Sequence, residues 1–308
     1  MAVKFFISTK NRGTETSPVA ESHIVLNGDG TKTLFLIHGL TGTPHEMRYL
    51  ANFFHKKKSY TVICPRLANH GEPLTVLKKT TWQEFYKSVR DAFVAVRKTT
   101  PGPIFVSGLS MGALLSLLLA VEFPNEVSGV SCLSPTLFYD GWNVPWYSSF
   151  LLPLLCKPPF KYFSYFKEEP PYGIKNKALQ KKVHKYYTTA SIHDIEGAAE
   201  YGYPYFPIAL LHQLKLLVKY LVRLFPSVSV PVQLIQANED DMTSVKNSTF
   251  IYDRVNSDVK EMVLLHNSYH VITADQERDT VARKMDDFFK HVIETADIKQ
   301  ETVKDEKK

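Results

Sequence analysis

A serine flanked by two glycines is the feature of this chain of 308 residues that most clearly could do chemistry. The segment reads Gly108-Leu109-Ser110-Met111-Gly112, after an apolar run at 104–106 and before a helix-like stretch at 113–121. A serine on a tight strand-to-helix turn needs glycines beside it, because the neighbouring backbones pass too closely for side chains. The pattern predicts that Ser110 is a nucleophile at the amino terminus of a helix, where the helix dipole favours negative charge.

A second glycine-containing loop, His38-Gly39-Leu40-Thr41-Gly42, follows the apolar run 33–37. Its backbone can face a serine on the neighbouring turn, and the Leu40 N–H is the expected donor. Together with the N–H of Met111, it would hold the negative oxygen of a tetrahedral intermediate. We interpret His38 as a structural residue that bonds the backbone of this loop, because it comes too early in the chain to be the base.

A serine hydroxyl is a weak nucleophile and needs a base that is oriented by an acid. Where the serine lies in a G-x-S-x-G turn, the order along the chain is serine, acid, histidine. Three histidines come late enough: His266, His270 and His291. His291 lies deep in a terminal helical stretch and His266 directly follows a strand, so His270, in the loop before that helix, is the predicted base.

The acid is expected after the apolar run 232–236, where Glu239, Asp240 and Asp241 are consecutive. Either aspartate could reach His270 from a loop of this length. Asp240 is our prediction for the acid, and the other carboxylate would be solvated or would cap the next helix.

The elements that must position these residues alternate between apolar runs and helix-like stretches. The predicted strands are 23–26, 33–37, 61–64, 104–106, 127–133, 232–236 and 261–265. The predicted helices are 46–54, 82–99, 113–122, 244–255 and 276–295. Runs that are apolar throughout are typical of strands buried on both faces, so we predict an α/β fold: a mostly parallel central sheet with helices on both faces.

The alternation stops between 134 and about 228, which predicts an inserted cap. Eleven of the 33 residues from 138 to 170 are aromatic, against 12% of the whole chain. The predicted organisation is therefore a first core part at 1–137, an aromatic-rich cap at 138–228, a second core part at 229–296 and a charged, frayed tail at 297–308. Trp142 and Trp146 are predicted to contact the substrate because they closely follow the strand before the cap.

Several segments match motifs of one known group of enzymes. They are His38-Gly39-Leu40-Thr41-Gly42 (H-G-F-T-G in the group), Pro65-Arg66-Leu67-Ala68-Asn69-His70-Gly71 (P-x-x-x-G-H-G), the serine turn at 108–112 (G-L-S-M-G), Gln236-Ala237-Asn238-Glu239-Asp240-Asp241-Met242 (Q-A-x-x-D-x-M) and His270-Val271-Ile272-Thr273-Ala274-Asp275 (H-V-I-T-x-D). By these motifs the chain resembles α/β-hydrolases of the bacterial carboxylesterase and monoacylglycerol-lipase group, over about residues 30–135 and 228–292.

The resemblance implies an α/β-hydrolase fold, hydrolysis of carboxylic esters, the acid on Asp240 and the base on His270, with no metal or organic cofactor. Two features depart from the group. Asn69 stands where the group usually has glycine, and the cap is longer and more aromatic than the small cap of those esterases. An apolar cap suits an ester with an apolar acyl chain.

Other functions are compatible with the same residues. Ser110, Asp240 and His270 could instead act on an amide or a carbon–carbon bond, or transfer the acyl group to an acceptor other than water. The proline-iminopeptidase pattern H-G-G-P-G is absent at 38–42, which lowers the case for a peptidase. A non-catalytic α/β-hydrolase that only binds a ligand is the less favoured alternative, because all three members of the triad are present.

Composition limits the partners. Lys plus Arg exceed Asp plus Glu by only 37 to 31, without a basic stripe or zinc spacing, so nucleic acid is not expected. Three cysteines, far apart and odd in number, favour a reducing compartment, and residues 1–10 carry only the patch Phe5-Phe6-Ile7 and no export signal, so a cytoplasmic location is predicted. Lysines alternate with aromatic residues at 157–167, and a basic amphipathic stretch lies at 208–225. These features suggest a further hypothesis, that the cap makes peripheral contact with a membrane. Packing of the aromatics on the core is the favoured alternative.

Overall fold

A seven-stranded sheet forms the centre of the computed structural model, which describes residues 23–190 and 198–305. The strands of this sheet and of a small second sheet are β1 (Ile24–Leu26), β2 (Thr33–Ile37), β3 (Thr61–Cys64), β4 (Ile104–Leu109), β5 (Val127–Leu133), β6 (Tyr165–Lys167), β7 (Tyr205–Pro207), β8 (Val232–Ala237) and β9 (Lys260–Leu265). The large sheet has the order β1-β3-β2-β4-β5-β8-β9, with β1 antiparallel and every other neighbouring pair parallel. The prediction of a mostly parallel sheet is confirmed.

Helices cover both faces of the sheet. They are α1 (Arg48–Lys58), α2 (Leu74–Leu77), α3 (Trp82–Arg97), α4 (Met111–Glu122), α5 (Ser148–Leu155), α6 (Phe160–Phe163), α7 (Lys177–Thr189), α8 (Ala198–Tyr201), α9 (Ile208–Leu221), α10 (Lys246–Tyr252) and α11 (Arg278–Asp305), with 3-10 turns at Pro44–Met47 and Val222–Ser227. The side chains of β2 alternate between the two faces, so Phe35 packs with α3 and α4 while Leu34 packs with α1 and α11. Full burial of β2 on both faces explains why its sequence is apolar from Leu34 to Ile37.

Local sequence sets where several of these helices begin. The Thr81 hydroxyl accepts from the Glu84 N–H while the Glu84 carboxylate accepts from the Thr81 N–H, a capping box at the start of α3. The side chain of Asn176 accepts from two N–H groups in the first turn of α7.

The chain between β5 and β8 forms the inserted region, which contains short helices and the antiparallel pair of β6 and β7. Its last helix, α9, packs against α3 and α4 through buried Leu210, Leu214 and Leu217. The end of the predicted 138–228 insertion therefore lies in the helical layer over the sheet, because the apolar stripe of α9 is covered there.

Two further sequence predictions concern the ends of the chain. Helix α11 continues to Asp305, past residue 297, where the sequence predicts a frayed tail. The apolar patch at residues 5–7 lies outside the described residues. Within 23–190 and 198–305, no helix has the length and apolarity needed to cross a membrane.

Candidate active site

Ser110 lies on a sharp turn between β4 and α4, as predicted. Its backbone has φ 57° and ψ −116°, a conformation that is strained for a residue with a side chain. The flanking glycines make this turn feasible: a Cβ on Gly112 would lie 2.2 Å from the carbonyl oxygen of Ile37, and one on Gly108 would lie 2.2 Å from the Gly112 backbone. The turn is therefore built for close backbone contact with β2.

The Ser110 hydroxyl bonds a neighbour that the sequence did not single out. Its Oγ lies 2.8 Å from Oγ1 of Thr136, just after β5, and the side chain faces the same cavity as His270. Between Ser110 and His270 the structure has no hydrogen bond. Before a proton could pass between them, the serine side chain would have to turn away from Thr136.

His270 lies in the loop after β9 and is held by Asp240, which follows β8. The His270 Nδ1–H donates to Oδ2 of Asp240 at 2.8 Å, and this fixes the tautomer in which Nε2 is the free acceptor. The Asp240 carboxylate is itself oriented by the Gln236 side chain and by the N–H groups of Met242 and Thr243. The two carboxylates that spacing could not separate are thus distinguished by contact.

Asp241 has a different set of partners. Its carboxylate accepts from the N–H of Gly173 at 3.0 Å and from the backbone N–H of His270 at 3.4 Å, so it touches the loop of the histidine but not the imidazole. It is buried and is not the solvated or helix-capping residue that was one expectation.

Electrostatics favour a charged imidazole in this setting. Burial lowers the pKa of His270, but the Asp240 carboxylate, with smaller contributions from Asp241 and Glu46, outweighs burial and leaves this pKa raised above 6.5. Burial raises the pKa of Asp241, against the opposing attraction of His270. A histidine with this balance is suited to accept a proton near neutral pH.

The loop after β2 presents two backbone donors. The N–H groups of Leu40 and Met111 have no acceptor among the described residues, while the N–H of the adjacent Gly39 is bound by the Glu46 carboxylate. The two predicted donors are therefore available to a ligand, whereas Gly39 is not.

Two buried histidines hold this loop. The Nδ1–H of His38 donates to the Gly39 carbonyl, while its Nε2 accepts from the Leu67 N–H. The Nε2 of His70 donates to the Leu40 carbonyl at 2.8 Å. Burial lowers the pKa of both rings, that of His70 to about 4, so they are neutral at physiological pH. This geometry fits the predicted structural role of His38.

Asn69 stands where the family motif has glycine, and its backbone conformation explains why asparagine is accepted there. Its φ is 58°, in the left-handed region where glycine is usual and where asparagine is among the best tolerated other residues. The side chain also donates to the Thr80 hydroxyl at 2.9 Å. The turn that places His70 is therefore preserved.

Ser110 and His270 line a cavity of about 590 Å³ together with residues of the inserted region. Its walls include Tyr139, Phe206 and Tyr187. Three acidic side chains that the sequence did not single out also line it, Glu46, Glu168 and the exposed Glu200. Burial is the main cause that raises the pKa of Glu46 and of Glu168 to about 7. The short spacing between the 38–42 loop and Glu46 was a usable signal, whereas nothing local marked Glu168.

The two tryptophans predicted to contact the substrate lie elsewhere. The Trp142 indole donates to the Glu239 carbonyl and packs edge-on against Tyr269, and Trp146 is 82% exposed. Neither lines the cavity, because Trp142 packs against the loops that follow β8 and β9 and Trp146 is exposed.

A strap in the inserted region, residues 173–176, is bonded to the loops that carry Asp241 and His270. The N–H groups of Lys175 and Asn176 donate to the buried Asp275 carboxylate at 2.7 Å, and the Val271 N–H donates to the Gly173 carbonyl at 2.8 Å. A Cβ on Gly173 would lie 2.9 Å from a methyl of Val271, so glycine allows this contact. Asp275 is the aspartate of the H-V-I-T-x-D motif, and these bonds give it a structural role.

No group of three or more histidine, cysteine or acidic side chains within 23–190 and 198–305 is arranged to hold a metal ion.

Comparison with known proteins finds lipases and esterases among the relatives. The chain is 27% identical over 286 residues to a thermostable monoacylglycerol lipase of Bacillus sp. (strain H-257), covering 88% of this chain and 98% of that protein. It is 26% identical to a carboxylesterase of Bacillus subtilis (strain 168), covering 84% of this chain and 92% of that protein.

Solved structures share the fold. A metagenome-derived lipolytic enzyme from a study of LipS and LipT superposes with a TM-score of 0.71 at 26% identity, covering 90% of this chain and 100% of that one. A soluble variant of monoglyceride lipase from Saccharomyces cerevisiae gives a TM-score of 0.68 at 17% identity, over 88% and 91% of the two chains. The profile of the family described as "Serine aminopeptidase, S33" matches residues 29–277. The chain therefore has the α/β-hydrolase fold and belongs to this family.

Proposed function

We propose that this protein is a serine hydrolase that cleaves carboxylic esters with an apolar acyl chain. One observation carries the proposal: Ser110 and His270 come from different loops to one cavity, and the imidazole is hydrogen-bonded to the Asp240 carboxylate. Family membership and the two relatives named for ester hydrolysis support the reaction class.

In the proposed mechanism Ser110 turns from Thr136 towards His270, and its Oγ attacks the ester carbonyl while Nε2 takes the hydroxyl proton. The backbone N–H groups of Leu40 and Met111 hold the oxyanion. The intermediate collapses as His270 returns the proton to the leaving alcohol, which leaves an acyl group on Ser110. Water then attacks by the same route and releases the acid. Asp240 orients the ring and stabilises its protonated form.

The cavity supports an apolar acyl group. Its wall carries Phe206, Ile174 and Val183 from the inserted region, beside Leu109 and Met242 from the core. Apolar walls with a few convergent polar groups are typical of sites that bind a small apolar ligand. A medium-chain ester or a monoacylglycerol is the concrete proposal.

A second candidate keeps the same residues but changes the bond or the acceptor. The description of the family as a serine aminopeptidase favours an amide as this alternative. Carbon–carbon bond cleavage and acyl transfer use the same nucleophile and base. A pocket that only binds a ligand is the least favoured option.

The test is labelling of the purified protein with a fluorophosphonate probe, followed by mass spectrometry of the labelled peptide. We expect stoichiometric labelling of Ser110 that is lost in Ser110→Ala and His270→Ala. The matched controls Ser116→Ala, in the helix that follows Ser110, and His266→Ala, in the loop that carries His270, should be labelled like the wild type. Turnover of matched ester, amide and diketone substrates then separates the reactions. An unlabelled wild type would contradict the catalytic proposal in favour of ligand binding.

Two properties of the setting complete the proposal. A cytoplasmic location is supported by Cys64, Cys132 and Cys156, which are all buried free thiols. Peripheral contact of the inserted region with a membrane is supported by its exposed aromatic and basic side chains.

A further inference from the structure

The outer surface of the inserted region carries an unusual concentration of exposed apolar side chains. We call this set the aromatic face: Trp146, Tyr147, Phe150, Leu151, Leu154, Phe160 and Phe163. Three of its members are almost fully exposed, with Trp146 at 82%, Phe163 at 78% and Phe150 at 76%. Single exposed apolar residues are normal on a protein surface, but a contiguous set of this size marks an interaction site.

Helix α5 shows how the face is built. Its sequence is Ser-Ser-Phe-Leu-Leu-Pro-Leu-Leu, without a charged residue, and only part of it is covered by the molecule. Leu152 and Leu155 pack against the core, whereas Phe150, Leu151 and Leu154 point outward. Helix α6 lies against α5 and adds Phe160 and Phe163. The sequence favoured packing of these side chains on the core over contact with a membrane. In the structure only a minority of them pack on the core.

A cluster of lysines borders the aromatic face. Lys78, Lys79 and Lys161 line a second cavity, of about 440 Å³, together with Tyr162 and Phe163, and we call it the lysine groove. Lys78 Nζ donates to the Tyr162 carbonyl at 3.0 Å and Lys161 Nζ lies 5.1 Å from the Tyr162 ring centre. Phe163 belongs to both the groove and the aromatic face, so the two surfaces are continuous.

Basic side chains predominate around this surface, and among the described residues the one carboxylate bonded to the wall of the lysine groove is that of Glu84, which accepts from Thr81. Exposed Lys157 lies between members of the face along the chain and exposed Lys167 follows them, and the segment 141–167 contains no aspartate or glutamate. Burial and then the charges of Lys161 and Lys215 lower the pKa of the nearby His212. An anionic partner is the one that this surface complements.

We propose that the aromatic face and the lysine groove dock on a bilayer that contains anionic phospholipid, with the phosphate of a headgroup in the lysine groove. This inference rests on the proposed contact between the inserted region and a membrane, and it specifies the face and the lipid. Aromatic rings enter the headgroup boundary, while the flexible lysine stems let the ammonium groups reach the phosphates.

A protein partner fits the surface less well. Lysine is depleted in protein–protein interfaces, whereas here it alternates with the aromatics. A second copy of the chain, joined about a two-fold axis through the lysine groove, would bring lysines against lysines. A membrane also suits the wall of the catalytic cavity: Phe206 inside it stacks on Phe166, whose ring is partly exposed on the outside. One aromatic pair thus separates the cavity from the outer surface.

The experiment is cosedimentation of the full chain with vesicles of phosphatidylcholine alone or mixed with phosphatidylglycerol. Two test variants are used: Phe150→Ser with Phe163→Ser, and Lys79→Gln with Lys161→Gln. Their matched controls are Phe150→Leu with Phe163→Leu, which keeps the apolarity, and Lys98→Gln with Lys284→Gln, which removes the same charge from exposed positions elsewhere. Turnover of a water-soluble short-chain ester and the thermal unfolding midpoint are measured for every variant.

We expect binding to the anionic vesicles, with a blue shift of tryptophan fluorescence that Trp146→Phe removes without removing binding. The serine pair should lower the partition constant roughly tenfold or more. The glutamine pair should lower it roughly tenfold or more on anionic vesicles only. Both control pairs should bind like the wild type, and no pair should change short-chain turnover.

Equal binding to neutral and anionic vesicles, or unchanged binding of either test pair, would overturn the inference. So would dimerisation of the wild type that the serine pair abolishes, because a second copy would then cover the face. Short-chain turnover is read separately, so a failure of membrane docking is distinguishable from a failure of the proposed hydrolysis.

Discussion

The Nδ1 atom of His270 lies 2.8 Å from Oδ2 of Asp240, and the next residue along the chain, Asp241, contacts only the backbone of His270. Two consecutive carboxylates therefore have separate tasks. One faces the imidazole, and the other joins the histidine loop to Gly173 of the inserted region.

This division predicts unequal effects of two matched substitutions. Asp240→Asn should lower kcat by on the order of 10⁴-fold, because an amide does not hold the reactive tautomer. Asp241→Asn should keep kcat within roughly tenfold, since its amide oxygen can still accept a backbone bond. Steady-state turnover of an ester by both variants is the measurement. Similar losses in the two would contradict the assignment of Asp240.

The raised pKa of His270 predicts the acid limb of the pH profile. The proposed base must be neutral, so kcat/KM should fall as pH drops through this pKa, with a midpoint above 6.5. Asp241→Asn removes a carboxylate that raises this pKa, so it should move the midpoint to lower pH. Initial rates across pH check both statements, and a wild-type midpoint below 6.5 would be inconsistent with the geometry.

The two buried glutamates of the cavity, Glu46 and Glu168, predict a pH dependence of stability. Their pKa is about 7 in the folded protein against 4.5 for an ordinary glutamate. Because the folded pKa is raised, their stabilising contribution is complete below pH 4.5 and is lost as pH rises to about 7. The loss should be on the order of 1–3 kcal/mol per group in the free energy of unfolding.

Glu46→Gln with Glu168→Gln should remove this loss, because neither amide ionises. Denaturant unfolding of the wild type and the double variant between pH 4.5 and 8 measures the difference. The prediction fails if the two curves stay parallel over this range. Lys98→Gln, remote from the cavity, serves as the control for charge.

The hydrogen bond from His70 to the Leu40 carbonyl predicts what happens when the 38–42 loop loses this support. His70→Phe keeps a ring but removes the bond to the Leu40 carbonyl, so the Leu40 N–H should lose its position. We expect kcat to fall roughly tenfold to a hundredfold. His55→Phe, on α1, is the control. Unchanged kcat in a folded His70→Phe protein would show that the loop needs no such support.

Much of the fold follows from local pattern. The runs at β2, β5 and β8, in which apolar residues predominate, predict buried strands, and the glycines beside Ser110 predict the turn, because both signals are carried by neighbouring residues. The structure supplies what depends on contacts distant in sequence. The choice of Asp240 over Asp241 needs the position of a loop 30 residues away. The prediction that Trp146 contacts the substrate failed for the same reason, because the path of the inserted region depends on contacts with residues distant in sequence.

The packing of α9 in the helical layer is another feature that the local sequence does not predict. Its amphipathic pattern predicts a helix, but only the exposed apolar surface of α3 and α4 decides that it packs there. Asn69 is the opposite case. A residue that tolerates positive φ substitutes for glycine, so the turn could be anticipated from residue type alone.

The strap from Gly173 to Asn176 limits how the entrance can open. Because it is bonded to Val271, Asp241 and Asp275, it must stay in place if the catalytic loops keep their geometry. The inserted region is thus pinned near its middle rather than hinged at its two ends. Opening would move two independent flaps, one with α5 and α6 and the other with α7. Access for a substrate and exit for a product could then be controlled from opposite sides of one fixed point.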